Sequence, residues 1–130
     1  MWQHFDHQAD IGVHGSGPSL SAAFEEAAVA LTAVVTDPAG IRAETAVTLE
    51  CSAPDTGLLL VDWLNAVIYA MATRRMLFRD FSVTLDGDQL LATARGEPVD
   101  VARHQPAAEP KGATFTALQV HEDADGTWHA

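Results

Sequence analysis

A chain of 130 residues, 48% of them hydrophobic, fits a single globular domain that can bury about two-thirds of the surface its unfolded form exposes. The net charge of −11, from 7 Lys and Arg against 18 Asp and Glu, argues against direct binding of a phosphate backbone, because that affinity comes largely from basic side chains displacing counterions. A basic protein surface or a cation is the expected partner. The single cysteine, Cys51, excludes an intrachain disulfide and points to a reducing, cytoplasmic setting. Met1-Trp2-Gln3-His4 has neither the basic nor the apolar region of a signal peptide. The most apolar stretch, Leu58 to Ala72, falls short of the roughly 20 residues a bilayer requires and is interrupted by Asp62 and Asn65, so no membrane association is expected.

In chain order, Trp2 to Asp6 and Ile11 to His14 read as two short strands around a turn at Ala9-Asp10, and Gly15-Ser16-Gly17-Pro18 reads as a loop. Ser19 is a suitable N-cap for a helix that buries Leu20, Phe24, Ala27, Leu31 and Val34 and stops at Asp37-Pro38. Ala43 to Ser52 alternates Val47, Leu49 and Cys51 against Thr48 and Glu50, the period of a half-buried strand. Pro54-Asp55-Thr56-Gly57 then introduces a helix from Leu58 to about Arg75 that is apolar nearly all round. Its polar stripe is Asp62, Asn65, Tyr69 and Thr73, and the first two are expected to be hydrogen-bonded inside the fold. Leu77 to Leu85 and Leu90 to Gly96 form a hairpin about Asp86-Gly87. Glu97 to Pro110 is expected to be irregular, Ala113 to Glu122 a strand, and Thr127-Trp128-His129 a short edge strand.

The richest concentration of chemistry is Asp6-His7-Gln8-Ala9-Asp10, held between the apolar anchors Phe5 and Ile11. The carboxylates of Asp6 and Asp10 suit Ca²⁺ or Mg²⁺, and His7 would shift the preference toward a transition metal. The same two aspartates can equally cap a turn, and the segment alone has too few ligands for a site. A second concentration, Glu97, Asp100, His104 and Lys111, lies on the proline-broken connection, where a solvated surface loop is the alternative. The other histidines, including His14, His121 and His129, read as ordinary surface or half-buried residues. Phosphate-binding, nucleophile-elbow, paired-cysteine and metalloprotease motifs are all missing from the sequence, which favours a helper or binding protein over an enzyme.

Several separated segments, in order, resemble the archease family. They are Asp6-His7-x-Ala9-Asp10-Ile11-Gly12, Phe24-x-x-Ala27-Ala28, Leu59-x-x-Asp62-Trp63-Leu64-Asn65, Phe78-x-x-Phe81, Gly96-Glu97, and His104 through Lys111-x-Ala113-Thr114. The resemblance implies one α+β domain over residues 1–130, a sandwich of two main helices and antiparallel sheet. It implies a non-enzymatic activator of the RtcB-type tRNA-splicing RNA ligase, promoting the partner's guanylylation and multiple turnover without touching RNA itself. A stand-alone divalent-metal phosphoesterase and a general chaperone of nucleic-acid-modifying enzymes are the alternatives. By the resemblance, Asp10 matches a metal-binding aspartate, with Ca²⁺ or Mg²⁺ as the cation, and Asp6, His7, Glu97, His104 and Lys111 are the partner-contacting candidates. Two departures stand out. Phe115-Thr116 replaces the family's Tyr-His, and the chain ends at Ala130, before the Asp-Val terminus whose aspartate completes the family's metal site, so the last strand and the cation site are both expected to be incomplete.

Overall fold

The helix that starts at Ser19 organises the molecule. The computed structural model describes residues 1–7, 10–104 and 120–130, apart from the side chains of Asp6, His7, Asp10, Ile11, Val101 and His121. Within these residues the order is β1 (Trp2–His7), β2 (Asp10–Gly17), α1 (Leu20–Val35), a 3₁₀ turn (Pro38–Gly40), β3 (Thr45–Ser52), α2 (Thr56–Arg74), β4 (Met76–Asp86), β5 (Gln89–Pro98), a single-turn α3 (Val101–His104), β6 (His121–Glu122) and β7 (Trp128–His129). The strands make two antiparallel sheets, ordered β1-β2-β7-β6 and β3-β5-β4. This is the α+β architecture expected, with the single sheet of the expectation resolved into two.

Each helix begins where a side-chain oxygen satisfies an orphan backbone donor. Ser19 Oγ accepts from the Ala22 N–H at 3.1 Å, and Asp55 Oδ1 from the Leu58 N–H at 2.9 Å. α1 packs on β2 of one sheet and β4 of the other, burying Ala23, Phe24, Ala27, Ala28, Leu31 and Val35. Val35, not the expected Val34, is the buried C-terminal residue. α2 is covered on most sides, as its composition predicts. At 19 residues it is long and apolar enough to cross a bilayer by length and composition, yet Leu59, Leu60, Trp63, Leu64 and Val67 are buried in the core. Trp63 sits at its centre, fully buried, donating from Nε1 to the Phe24 carbonyl at 3.0 Å and meeting the Phe81 ring edge-on at 5.7 Å. One indole thereby ties both helices to β4.

Three local expectations are corrected. The segment Gly15-Ser16-Gly17 is strand, not loop, because its glycines serve close packing. A Cβ on Gly15 would stand 2.2 Å from the Ala27 nitrogen, and one on Gly17 2.6 Å from the Ala22 Cβ, so only glycine lets β2 lie this near α1. Asp62 is exposed on α2 instead of being bonded inside the fold, so its carboxylate is already solvated. β7 is an inner strand, flanked by β2 and β6, not an edge; Gly15 and Ala130 exchange both backbone bonds at 2.8 Å. A register shift between Phe78 and Asp80 makes Arg79 an extra residue in β4. That bulge resets the alternation, which is why Phe78 and Phe81 are both buried in one core while Leu77 packs with Val35 and Ile41 in a second.

Candidate functional site

The sequence-predicted residues fall into two groups on different sheets. On the first sheet, β1 and β2 pair with Asp6 opposite Ile11 and His7 opposite Asp10, so the backbone brings the three residues onto adjacent rungs. Two contacts fix this hairpin. The His4 Nε2–H donates to the Ala30 carbonyl of α1 at 2.7 Å, and the Phe5 ring covers Gly12, where a Cβ would come within 2.1 Å of it. Among the described residues no three His, Cys, Asp or Glu side chains converge as metal ligands. A cation at Asp10 would need oxygen ligands from beyond them.

The second group is a buried polar clip at the end of β5. Gly96 makes it possible: a Cβ there would lie 1.9 Å from the Leu77 carbonyl, so glycine alone allows β5 to continue past the bulge to Glu97. Glu97 is only 4% exposed and its carboxylate collects three partners. Oε2 accepts from the Arg42 backbone N–H, Oε1 from the Arg103 guanidinium, and His104 Nε2 lies 3.4 Å from Oε2. Arg103 reaches further, donating from Nη1 to the Gly40 carbonyl at 3.0 Å. Burial pushes the Glu97 carboxyl upward, but the hydrogen bonds from Arg42, Arg103 and His104 and the charge of Arg103 outweigh it, leaving the group well below the usual carboxylate range, at about 2.

His104 is 5% exposed and its tautomer follows from its neighbours. Nδ1 accepts from the Asp100 N–H at 2.9 Å, so the neutral ring carries its proton on Nε2, facing Glu97. At 3.4 Å this is an electrostatic contact, longer than a strong hydrogen bond. Asp100 also caps α3 by accepting from the Arg103 N–H at 3.3 Å, and the Thr36 hydroxyl donates to the His104 carbonyl. Expected as irregular, residues 97–104 are instead the end of a strand and a capped helical turn.

This arrangement changes the reading of two candidates. Glu97 and His104 are sealed from solvent and bonded to one another's supports, so neither presents charge at the surface. Glu97 therefore contributes no charge to an acidic surface that could draw a basic partner. Lys111, and the expected strand from Ala113, lie outside the described residues. Arg42 and Arg103 are missed by sequence reasoning. The available signal for Arg103 was its place beside His104, six residues after a glutamate; for Arg42, which binds through its backbone, the side chain carries no signal.

The described residues form a small α+β domain with two main helices on two antiparallel sheets, acidic residues at the N-terminal hairpin and an internally neutralised clip at the end of β5. The chain belongs to the archease protein family, which it matches over residues 2–130. It is 33% identical to protein archease of Pyrococcus abyssi over 133 residues, covering 99% of this chain and 94% of that protein, and 33% identical to protein archease of Pyrococcus furiosus over 134 residues, covering 100% and 94%. The solution structure of protein 1598 from Methanobacterium thermoautotrophicum has a TM-score of 0.83 to it at 30% identity, covering 99% of this chain and 94% of that one. An archease from Thermotoga maritima, described as a possible chaperone, shares the fold with a TM-score of 0.59 at 18% identity, covering 96% and 89%.

Proposed function

We propose that this protein is a non-enzymatic activator of the RtcB-type tRNA-splicing RNA ligase, promoting the ligase's guanylylation and multiple turnover by a transient protein contact. The observation that supports this reading is the match along residues 2–130 to the archease family. The catalysis belongs to the partner. In this reading Asp6, His7 and Asp10 face the ligase from the β1–β2 hairpin, with Asp10 as ligand to Ca²⁺ or Mg²⁺. Lys111 is a second contact in this reading. With few basic residues, and Arg74 and Arg75 at the end of α2 and Arg79 close by in β4, the described residues offer no stripe to follow an RNA backbone.

The test is a ligation assay with RNA ends in large excess over purified ligase. The expected result is multiple turnover only when this protein is present; the same rate with and without it overturns the proposal. Asp10→Ala and Lys111→Ala should abolish activation while leaving the circular dichroism spectrum unchanged. Paired titrations against tRNA alone and against RNA-free ligase, at low and physiological salt, should show salt-weakened binding to the ligase only.

A further inference from the structure

The two inner strands of the β1-β2-β7-β6 sheet carry a polar chain that the proposed function leaves unused. His14 on β2 and His129 on β7 meet through Nε2 and Nδ1 at 3.0 Å, and His129 Nε2 lies 2.6 Å from Asp123 Oδ2 in the β6–β7 connection. A carboxylate accepts, so His129 donates from Nε2 and turns the Nδ1 lone pair toward His14, whose Nε2–H must then be the donor between the rings. The ring planes differ by 11° and their centres are 5.2 Å apart, about the nitrogen separation plus the two ring radii. The imidazoles therefore meet edge to edge, in line, and are not stacked face to face.

We propose that His14 and His129 form a binding site for a borderline transition-metal dication of the Zn²⁺ or Co²⁺ type, with Asp123 as the residue that orients His129. Two imidazole nitrogens on one such ion, each at about 2.0 to 2.1 Å, stand about 3 to 3.4 Å apart, the separation already present here. The carboxylate on the far nitrogen of His129 is the outer-shell partner that metal-binding histidines carry, fixing tautomer and ring angle. The two ligands come from neighbouring strands whose spacing is set by backbone pairing of Ser16 with His129 and by the paired 2.8 Å bonds between Gly15 and Ala130. Binding moves the His14 proton from Nε2 to Nδ1, so both facing nitrogens offer lone pairs and no net proton is released. The rings then turn off their common line to share the ion. Among the described residues no third ligand converges there. The nitrogen donors separate this site from the hard-cation position at Asp10. A bound ion ties β7 to β2 and stabilises a strand of only two residues.

Titrating the chelator-treated protein with Co²⁺ and reading ligand-field absorption tests this. One equivalent should bind, with paramagnetic broadening in the NMR spectrum centred on His14 and His129, and millimolar Ca²⁺ should not displace it. His14→Gln and His129→Gln should each weaken binding at least tenfold, and Asp123→Ala about tenfold. His4→Ala should bind as the wild type does. Broadening centred on His4 or Asp10, displacement by Ca²⁺, or unchanged affinity in both glutamine variants overturns the proposal, and the broadening in the unsubstituted protein decides even if a variant fails to fold.

Discussion

The two sheets of this protein are held by opposite means. In β3-β5-β4 the strands run 8 to 11 residues and one face is apolar, with Val47, Phe81, Val83, Leu90, Ala92 and Ala94 buried beneath the helices. In β1-β2-β7-β6 two of the strands have two residues each, and the sheet is fixed by glycines pressed against α1 and by polar bonds from His4, His14 and His129. The β3-β5-β4 sheet depends on area removed from water, which tolerates small shifts. The β1-β2-β7-β6 sheet depends on close approach and on particular atoms, which do not.

Removing Trp63 should do the most damage, because its indole is the shared contact of both helices and the long sheet. Trp63→Ala is expected to cost about 3 to 5 kcal/mol by denaturant unfolding. Trp63→Phe should recover most of that, losing chiefly the bond to the Phe24 carbonyl. Equal losses for the two variants would show that the hydrogen bond, not burial, dominates.

Gly15→Ala attacks the other sheet. The added Cβ meets the backbone of Ala23 and Ala27, which cannot swing aside, so α1 and β2 must part, with an expected cost of about 1 to 3 kcal/mol. Hydrogen exchange should speed up at the Ser16 and Ala130 amides well before it does in β5. Uniform acceleration would mean that the sheets are a single cooperative unit.

The clip at Glu97 joins the long sheet to α3 and should reveal itself in acid. A carboxyl at about 2 in the folded chain and near its ordinary 4.5 in the unfolded one contributes stability that is fully present above pH 4.5 and lost as pH falls toward 2. The thermal midpoint of the wild type should fall across that window, and Glu97→Gln should start lower at neutral pH and fall less steeply. Parallel curves for the two proteins would remove Glu97 as the acid-sensitive group.

The smallest effect is expected at Asp62. Exposed on α2, it should change stability by no more than about 0.5 kcal/mol when replaced by Ala. Its loss should still register on Cys51, whose thiol is pushed up to about 11 by burial and, in second place, by the Asp62 charge. Asp62→Ala should lower that value, read by thiolate absorbance against pH.

The sequence described the long sheet better than the short-stranded one, and the reason is physical. Alternation in Val47, Leu49 and Cys51 and the cap at Asp55 are local signals of burial and of an unsatisfied helix end, and both proved correct. Gly15 and Gly17 gave the opposite impression, because glycine marks a turn and a tight packing contact with the same letter. Asp62 was misjudged since an apolar helix says how much is covered but not which stripe is left open. At the clip, Glu97 and His104 were identified through the family resemblance, but their burial depended on Arg103 and on a backbone amide of Arg42, partners set by the folded path of the chain. The His14–His129 contact spans 115 residues and had no local trace at all.

Glu25, one turn into α1, has its own consequence for assembly. Its Oε2 accepts the outward N–H of Val83 at 2.7 Å, on the free side of β4. A foreign strand adding there must first displace a carboxylate. A strand edge blocked in this way resists extension into an open array of strands. Glu25 sits on α1, the helix that bridges both sheets, so a guard against strand addition is placed on a helix and is invisible in the strands themselves.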